Sequence, residues 1–160
     1  MSPSQQTINA VGKPKMKWIK VPVAMDSGAT ANVSPNKIFG ISIEPTEASK
    51  AKDTFFGVNG KPILNLGKQT AYGQTVDKVD FNIDFEICDI SRPLGSVSKA
   101  AKAGNRFVID HEEGSYMYNK PTKKKIPLRE EGGLYFLDLW ILVPDDMEPP
   151  QPFARQIQQS

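Results

Sequence analysis

Val23-Ala24-Met25-Asp26-Ser27-Gly28-Ala29-Thr30-Ala31-Asn32 reads as a short apolar strand that runs into an Asp-Ser-Gly-Ala turn and leaves as a second strand. The first strand carries the Asp26 carboxylate to the edge of a sheet. Gly28 lets the backbone turn sharply just behind it, where a Cβ would hinder. The Ser27 hydroxyl can donate to one neighbour and accept from another, which suits it to locking the turn. By itself the tripeptide reads first as an ordinary surface turn, because all three residues favour turns. Its flanks separate the two cases.

Upstream the chain alternates. Ile19, Val21, Val23 and Met25 point one way, and Trp18, Lys20, Pro22 and Ala24 the other, the period-two signature of a half-buried strand. Pro22 cannot donate a ladder hydrogen bond, which marks an edge or an irregular stretch. Asp26 leaves opposite Met25, away from the core side, where a carboxylate can face a cleft.

Downstream, Ser34-Pro35-Asn36 is a turn, Phe39 to Ile43 a short segment, and 44–52 a polar surface loop. Asn59-Gly60 between two apolar runs predicts a hairpin over 53–67. With Gly57, Gly60 and Gly67 it is either a plain surface hairpin or a mobile flap able to close over a ligand and exclude water. Val79, Phe81, Ile83, Phe85 and Ile87 alternate with Asp80, Asn82, Asp84 and Glu86, a strand with one buried and one wet face. The acids lie along a line and enclose no ion. Ser98 to Ala103, with Gly104 just beyond, predicts a short helix, and Phe107-Val108-Ile109 another strand. Tyr116 to Val143 predicts one or two hairpins, with Lys123-Lys124-Lys125 as a solvated turn. Pro144 onward is a proline-rich tail.

The 160 residues suit one domain, and 24% charged against 39% hydrophobic residues excludes a disordered chain. A net charge of +2 is too small to point to nucleic acid. No apolar run reaches a membrane span, and the N-terminus lacks a signal-peptide core, so an intracellular setting is expected. Cys88 is the single cysteine, expected as a buried inert thiol. The single histidine, His111, sits beside Glu112 and Glu113, which argues against Cys–His catalysis. No metal ligands cluster. The organisation is mainly β: a loose arm at 1–15, a domain at 16–110, a hairpin-rich extension at 111–143 and a tail at 144–160.

The order of these features resembles the retropepsin-like aspartic proteases, most nearly those of copia-type retrotransposon polyproteins. The likeness rests on Met25-Asp26-Ser27-Gly28-Ala29-Thr30, the glycine-rich hairpin Phe56 to Ile63, Pro93-Leu94-Gly95-Ser96-Val97 with its helix, and Gly133-Leu134-Tyr135-Phe136-Leu137, similar to the junction toward integrase. It covers roughly residues 16–140. It implies a closed, barrel-like β fold with one short C-terminal helix. Retroviral members pair an acidic residue, second after the motif glycine, with an arginine. Those places here hold Thr30 and Ser96, so both partners are missing together and no unpaired buried charge remains.

The resemblance implies an endopeptidase. One carboxylate acts as base on a water and a second protonates the peptide carbonyl, the pair sharing a proton. One Asp-Ser-Gly in the chain then implies a homodimer contributing Asp26 twice across a two-fold axis. Asp26, Ser27 and Gly28 would be catalytic, with Ser27 bonding across the interface and the Gly28 backbone meeting the peptide. Ala29 and Thr30, with Gly57, Val58, Asn59, Gly60 and Lys61 of the flap, would bind substrate. No cofactor or metal is expected. The partners would be a second copy and a polyprotein or peptide, with neither membrane nor nucleic acid, in the cytoplasm or a virus-like particle. The rival expectation is a domesticated, inactive module that keeps the fold for dimerisation or peptide binding.

Overall fold

The computed structural model describes residues 15–35, 44–50, 54–56 and 62–146. In chain order they form β1 (Met16–Asp26), β2 (Val33–Ser34), α1 (Glu47–Lys50), β3 (Thr54–Phe56), β4 (Pro62–Leu64), β5 (Gly67–Thr75), β6 (Asp80–Ile87), β7 (Leu94–Ser96), α2 (Val97–Lys102), β8 (Asn105–Val108), β9 (Ser115–Asn119), β10 (Lys124–Glu131) and β11 (Leu134–Pro144). None of the described helices is long and apolar enough to cross a membrane.

The mainly β expectation holds, and the sheet closes. The strand order is β1-β7-β2-β6-β5-β11, with β11 pairing back onto β1, which makes a six-stranded barrel. Closure removes the exposed edges that an open sheet would present. β1 and β11 run antiparallel over nine paired positions from Met16↔Pro144 to Ala24↔Phe136. β1 runs parallel to β7 through Ala24↔Leu94, Met25↔Gly95 and Asp26↔Ser96. Beyond the barrel, β10, β9 and β8 continue as an antiparallel sheet, and β3 and β4 pair as a separate hairpin.

The alternation in β1 is realised up to Val23, with one departure after it: Val21 and Val23 are buried, Ile19 and Met25 pack against the core and Trp18 is exposed, but Ala24, expected on the outer face, is also buried. They meet Phe85 and Ile87 from β6, Leu139, Ile141 and Val143 from β11, and Met117 and Ile126 from the outer sheet. Residues 134–143, placed by the sequence in an extension after 110, with Pro144 from the expected tail, thus supply the strand that completes the barrel.

Several local expectations shift. Within the loop expected at 44–52, Glu47–Lys50 forms one helical turn, closed by the Lys50 N–H on the Thr46 carbonyl at 2.9 Å. The predicted helix starts at Val97 with Ser96 as its N-cap, and ends at Ala103 before Gly104 at φ +97°. β8 begins at Asn105, two residues before the strand expected from Phe107. β5 is the element the sequence did not announce. The arms of the predicted hairpin pair as Thr54↔Leu64 to Phe56↔Pro62. Its tip, Gly57, Val58, Asn59, Gly60 and Lys61, and the segment Phe39 to Ile43 lie outside the described residues.

Candidate active site

Asp26 ends β1, and the next six residues return the chain to β2. The return is tight. The Gly28 N–H donates to Asp26 Oδ1 at 2.8 Å, and the Ala29 N–H reaches the Asp26 carbonyl at 3.4 Å. A Cβ at position 28 would sit 3.3 Å from Asp26 Oδ1, closer than ordinary contact. Glycine therefore leaves the carboxylate room to accept from the backbone. Asp26, Ser27, Gly28 and Thr30 are exposed and Ala29 half-buried, so the site opens to solvent in the single chain.

What holds the turn is the opposite strand. Ser96 is fully buried. Its N–H donates to Asn32 Oδ1 at 2.7 Å, and its hydroxyl donates to the Ala29 carbonyl at 2.7 Å. The same hydroxyl accepts from the Lys99 N–H at 3.1 Å and so caps α2. One donor and one acceptor site of a single oxygen are both used. The Asn32 carbonyl accepts from Glu86 N–H at 2.9 Å, which ties the far end of the loop to β6. The loop is thereby fixed at its start, middle and end.

The lock expected from Ser27 is thus supplied by Ser96. Neither the Ser27 nor the Thr30 hydroxyl has a hydrogen-bond partner among the described residues. Sequence reasoning marked Ser96 only as the place of a missing arginine, and gave Asn32 no role. The neutral Ser96–Ala29 and Ser96–Asn32 bonds occupy the region where the retroviral pattern would put a charged pair. A serine directly after a glycine at the end of an apolar segment was the available signal. Gly95 adds close packing: a Cβ there would lie 2.6 Å from Met25 Sδ and 3.1 Å from Val23 Cγ1.

Behind the turn lies a cavity of about 320 Å³ beneath α2, lined by Met25, Asn32, Phe81, Ser96 and Met117 among others. Asp26 is not among its lining residues. Successive strand residues face opposite ways, so Met25 closes the cavity while Asp26 looks out.

Cys88 is buried, and burial, helped by the nearby Glu86 charge, pushes its thiol up to about 11. Such a thiol is a poor nucleophile. His111 lies exposed in the turn between β8 and β9. Among the described residues no group of three His, Cys, Asp or Glu side chains could hold a metal ion.

Comparison of the chain with known protein families, with curated proteins and with solved structures finds no match.

Proposed function

We propose that this chain is a retropepsin-like aspartic endopeptidase that acts as a homodimer on a polyprotein of retrotransposon type. The observation that carries this reading is the seating of Asp26. The carboxylate stands at a strand end, accepts the Gly28 N–H and faces solvent on a loop pinned by the buried Ser96. A group held this firmly yet left open is suited to meet a second carboxylate.

In the dimer, Asp26 of each copy approaches the two-fold axis. Two carboxylates at contact distance do not both ionise readily, so the pair holds one proton between them. The ionised member takes a proton from a water as its oxygen attacks the peptide carbonyl carbon. The protonated member gives its proton to the carbonyl oxygen. The resulting diol collapses with proton transfer to the amide nitrogen, and the C–N bond breaks to give a carboxylic acid and an amine. The cleft forms between copies, which agrees with the cavity of the single chain lying behind Asp26. Ser27 and Thr30, exposed and without hydrogen-bond partners among the described residues, supply the groups that meet the second copy and the substrate. The flap residues 57–61 would cover an extended peptide by adding strand-like bonds.

The test is self-processing of a longer precursor that contains this domain, wild type beside Asp26→Asn, at about pH 5 and over a range of protein concentration. Cleavage that rises with concentration and vanishes in the variant is the expected result. Cleavage retained in Asp26→Asn overturns the assignment. No cleavage in either, with a dimer present and no binding of an inhibitor that mimics the tetrahedral intermediate, identifies the inactive module.

A further inference from the structure

The two edges of β6 are covered unequally. β5 pairs with one edge over its whole length, from Gly67↔Ile87 to Gln74↔Asp80. On the other edge β2 reaches only Glu86 and Ile87. The Glu86 N–H donates to the Asn32 carbonyl at 2.9 Å, so it points to the β2 side. Backbone groups two residues apart in a strand point the same way. The N–H and carbonyl groups of Asp80, Asn82 and Asp84 therefore point to that side as well. Among the described residues no strand meets them there. An edge of this kind is a template for a further strand.

The cavity lies at the same place. Beneath α2, it is lined by every residue of 80–85. A cavity against one face of a strand would touch alternate residues only, and one that touches them all runs along the edge. Its interior is apolar, with Met25, Met117, Leu137 and Leu139 on the wall, and its volume of about 320 Å³ gives ample room for large side chains. Backbone groups that can bond an extended chain, beside an apolar hollow for its side chains, are the two parts of recognition by strand addition.

Charge selects the occupant. Asp80, Asp84 and Glu86 share the outer face of β6, where Asp84 accepts from Thr70 Oγ1 and Asp80 from Gln74 Nε2, both on β5. Lys68, 3.9 Å from Asp84, is the one cation paired with these carboxylates among the described residues, which leaves the face acidic. Lys99, which also lines the cavity, belongs to α2 and not to this face. A second copy of the chain fits poorly. Two β6 edges paired about a two-fold axis through Asn82 set Asp80 of one copy against Asp84 of the other, and like charges directly opposite are unfavourable. A strand with basic residues outside and apolar residues inside meets both demands.

We propose that the edge of β6 at residues 80–84, with the cavity beside it, binds an extended peptide in which basic and apolar residues alternate. The peptide backbone bonds that of Asn82 and Asp84, its apolar side chains enter the cavity, and its lysines or arginines lie over Asp80 and Asp84. The site is separate from Asp26, which does not line the cavity, and does not depend on the chain being a peptidase.

The probe is a synthetic peptide in which lysine alternates with valine and leucine, added to the full chain carrying Asp26→Asn so that no cleavage intervenes. Hydrogen exchange at the Asn82 and Asp84 amides, read by NMR, is expected to be rapid in the free chain and to slow at least about tenfold with peptide bound. The N–H groups of an added strand alternate between β6 and solvent. N-methylation of one alternate set is therefore expected to weaken binding at least about tenfold, and of the other set to leave it unchanged. Asn82→Pro removes an N–H from the open edge and spares the β5 ladder. It is expected to abolish binding while the chain stays folded; should it unfold, the methylated peptides on the unaltered edge decide. Equal loss from both methylated sets, equal binding of a peptide with glutamate in place of lysine, or no binding overturns the proposal. So do Asn82 and Asp84 amides already protected in the free chain; protection that rises with protein concentration assigns the edge to a second copy.

Discussion

The Ser96 hydroxyl donates to the Ala29 carbonyl at 2.7 Å, linking the start of α2 to the turn that carries Asp26. The two residues are far apart in sequence, yet the bond fixes the distance between β7 and the Asp26 turn. Replacing the fully buried Ser96 with Ala leaves the part-buried Ala29 carbonyl and the Lys99 N–H without this partner. An orphaned buried group costs about 1–3 kcal/mol, and a lost N-cap acts in the same direction. Ser96→Ala is expected to lower stability by about 2 kcal/mol in urea denaturation. On the proposed function it also lowers peptide cleavage more than tenfold at temperatures where the chain stays folded, because Asp26 loses its fixed position.

Among the glycines of the described residues, the closest approach is at Gly73. A Cβ there would meet the Trp140 backbone carbonyl oxygen at 2.1 Å and Phe81 Cζ at 2.8 Å. The ring could rotate away, but the carbonyl belongs to the β5–β11 ladder and cannot. Gly73→Ala is therefore expected to destabilise by about 3 kcal/mol or to abolish folding, read from the urea midpoint. An unchanged midpoint would mean that β5 and β11 do not pack as described.

The same glycine shows why β5 was illegible. Its inward face is Gly67, Gln69, Ala71, Gly73 and Thr75, all buried and none a large apolar side chain. Hydrophobic periodicity has nothing to detect there; beside Gly73 the space is taken by the Phe81 ring of the neighbouring strand. β6, which pairs with it, presents Phe81, Ile83, Phe85 and Ile87 and could be read directly. The same contrast holds at the site. Asp26 and Gly28 were legible from their local chemistry, since a turn geometry is written in adjacent residues. Ser96 acts from a distant segment, and the parallel pairing of β1 with β7 brings it to the turn, where Asn32 accepts its N–H.

Cys88 gives a pH dependence with a definite sign. Its thiol is held neutral by burial, with the folded value at about 11 against an ordinary 9.0. The unfolded chain therefore releases this proton first as pH rises. The stabilisation is complete below pH 9, falls as the unfolded thiol ionises, and is spent above the folded value. Cys88→Ala is expected to flatten the decline in denaturation midpoint between pH 9 and 11 that the wild type shows. Thiol labelling at pH 8 should be slow in the folded chain and become rapid only on unfolding, since Cys88 is 1% exposed.

β11 carries the sharpest test of the architecture, because it occupies the seam of the barrel. It pairs with β1 along nearly its whole length, and on its other edge with β10 at Leu134–Phe136 and with β5 at Leu139–Ile141. Leu137, Leu139, Ile141 and Val143 point into the core, each at most 5% exposed. Ending the chain at Ile109 removes all of these and opens the edges of β1 and β5 together. Each buried leucine, isoleucine or valine contributes about 1.5–3 kcal/mol, and four such losses exceed about half the stability of a small domain. The truncated chain is expected to show no cooperative unfolding transition and no dispersed methyl signals by NMR. The single substitution Leu139→Ala, which leaves the ladder in place, is expected to cost about 2–5 kcal/mol and keep a cooperative transition. A truncated chain that folds cooperatively would mean that a barrel can close without β11, with β1 meeting β5 directly.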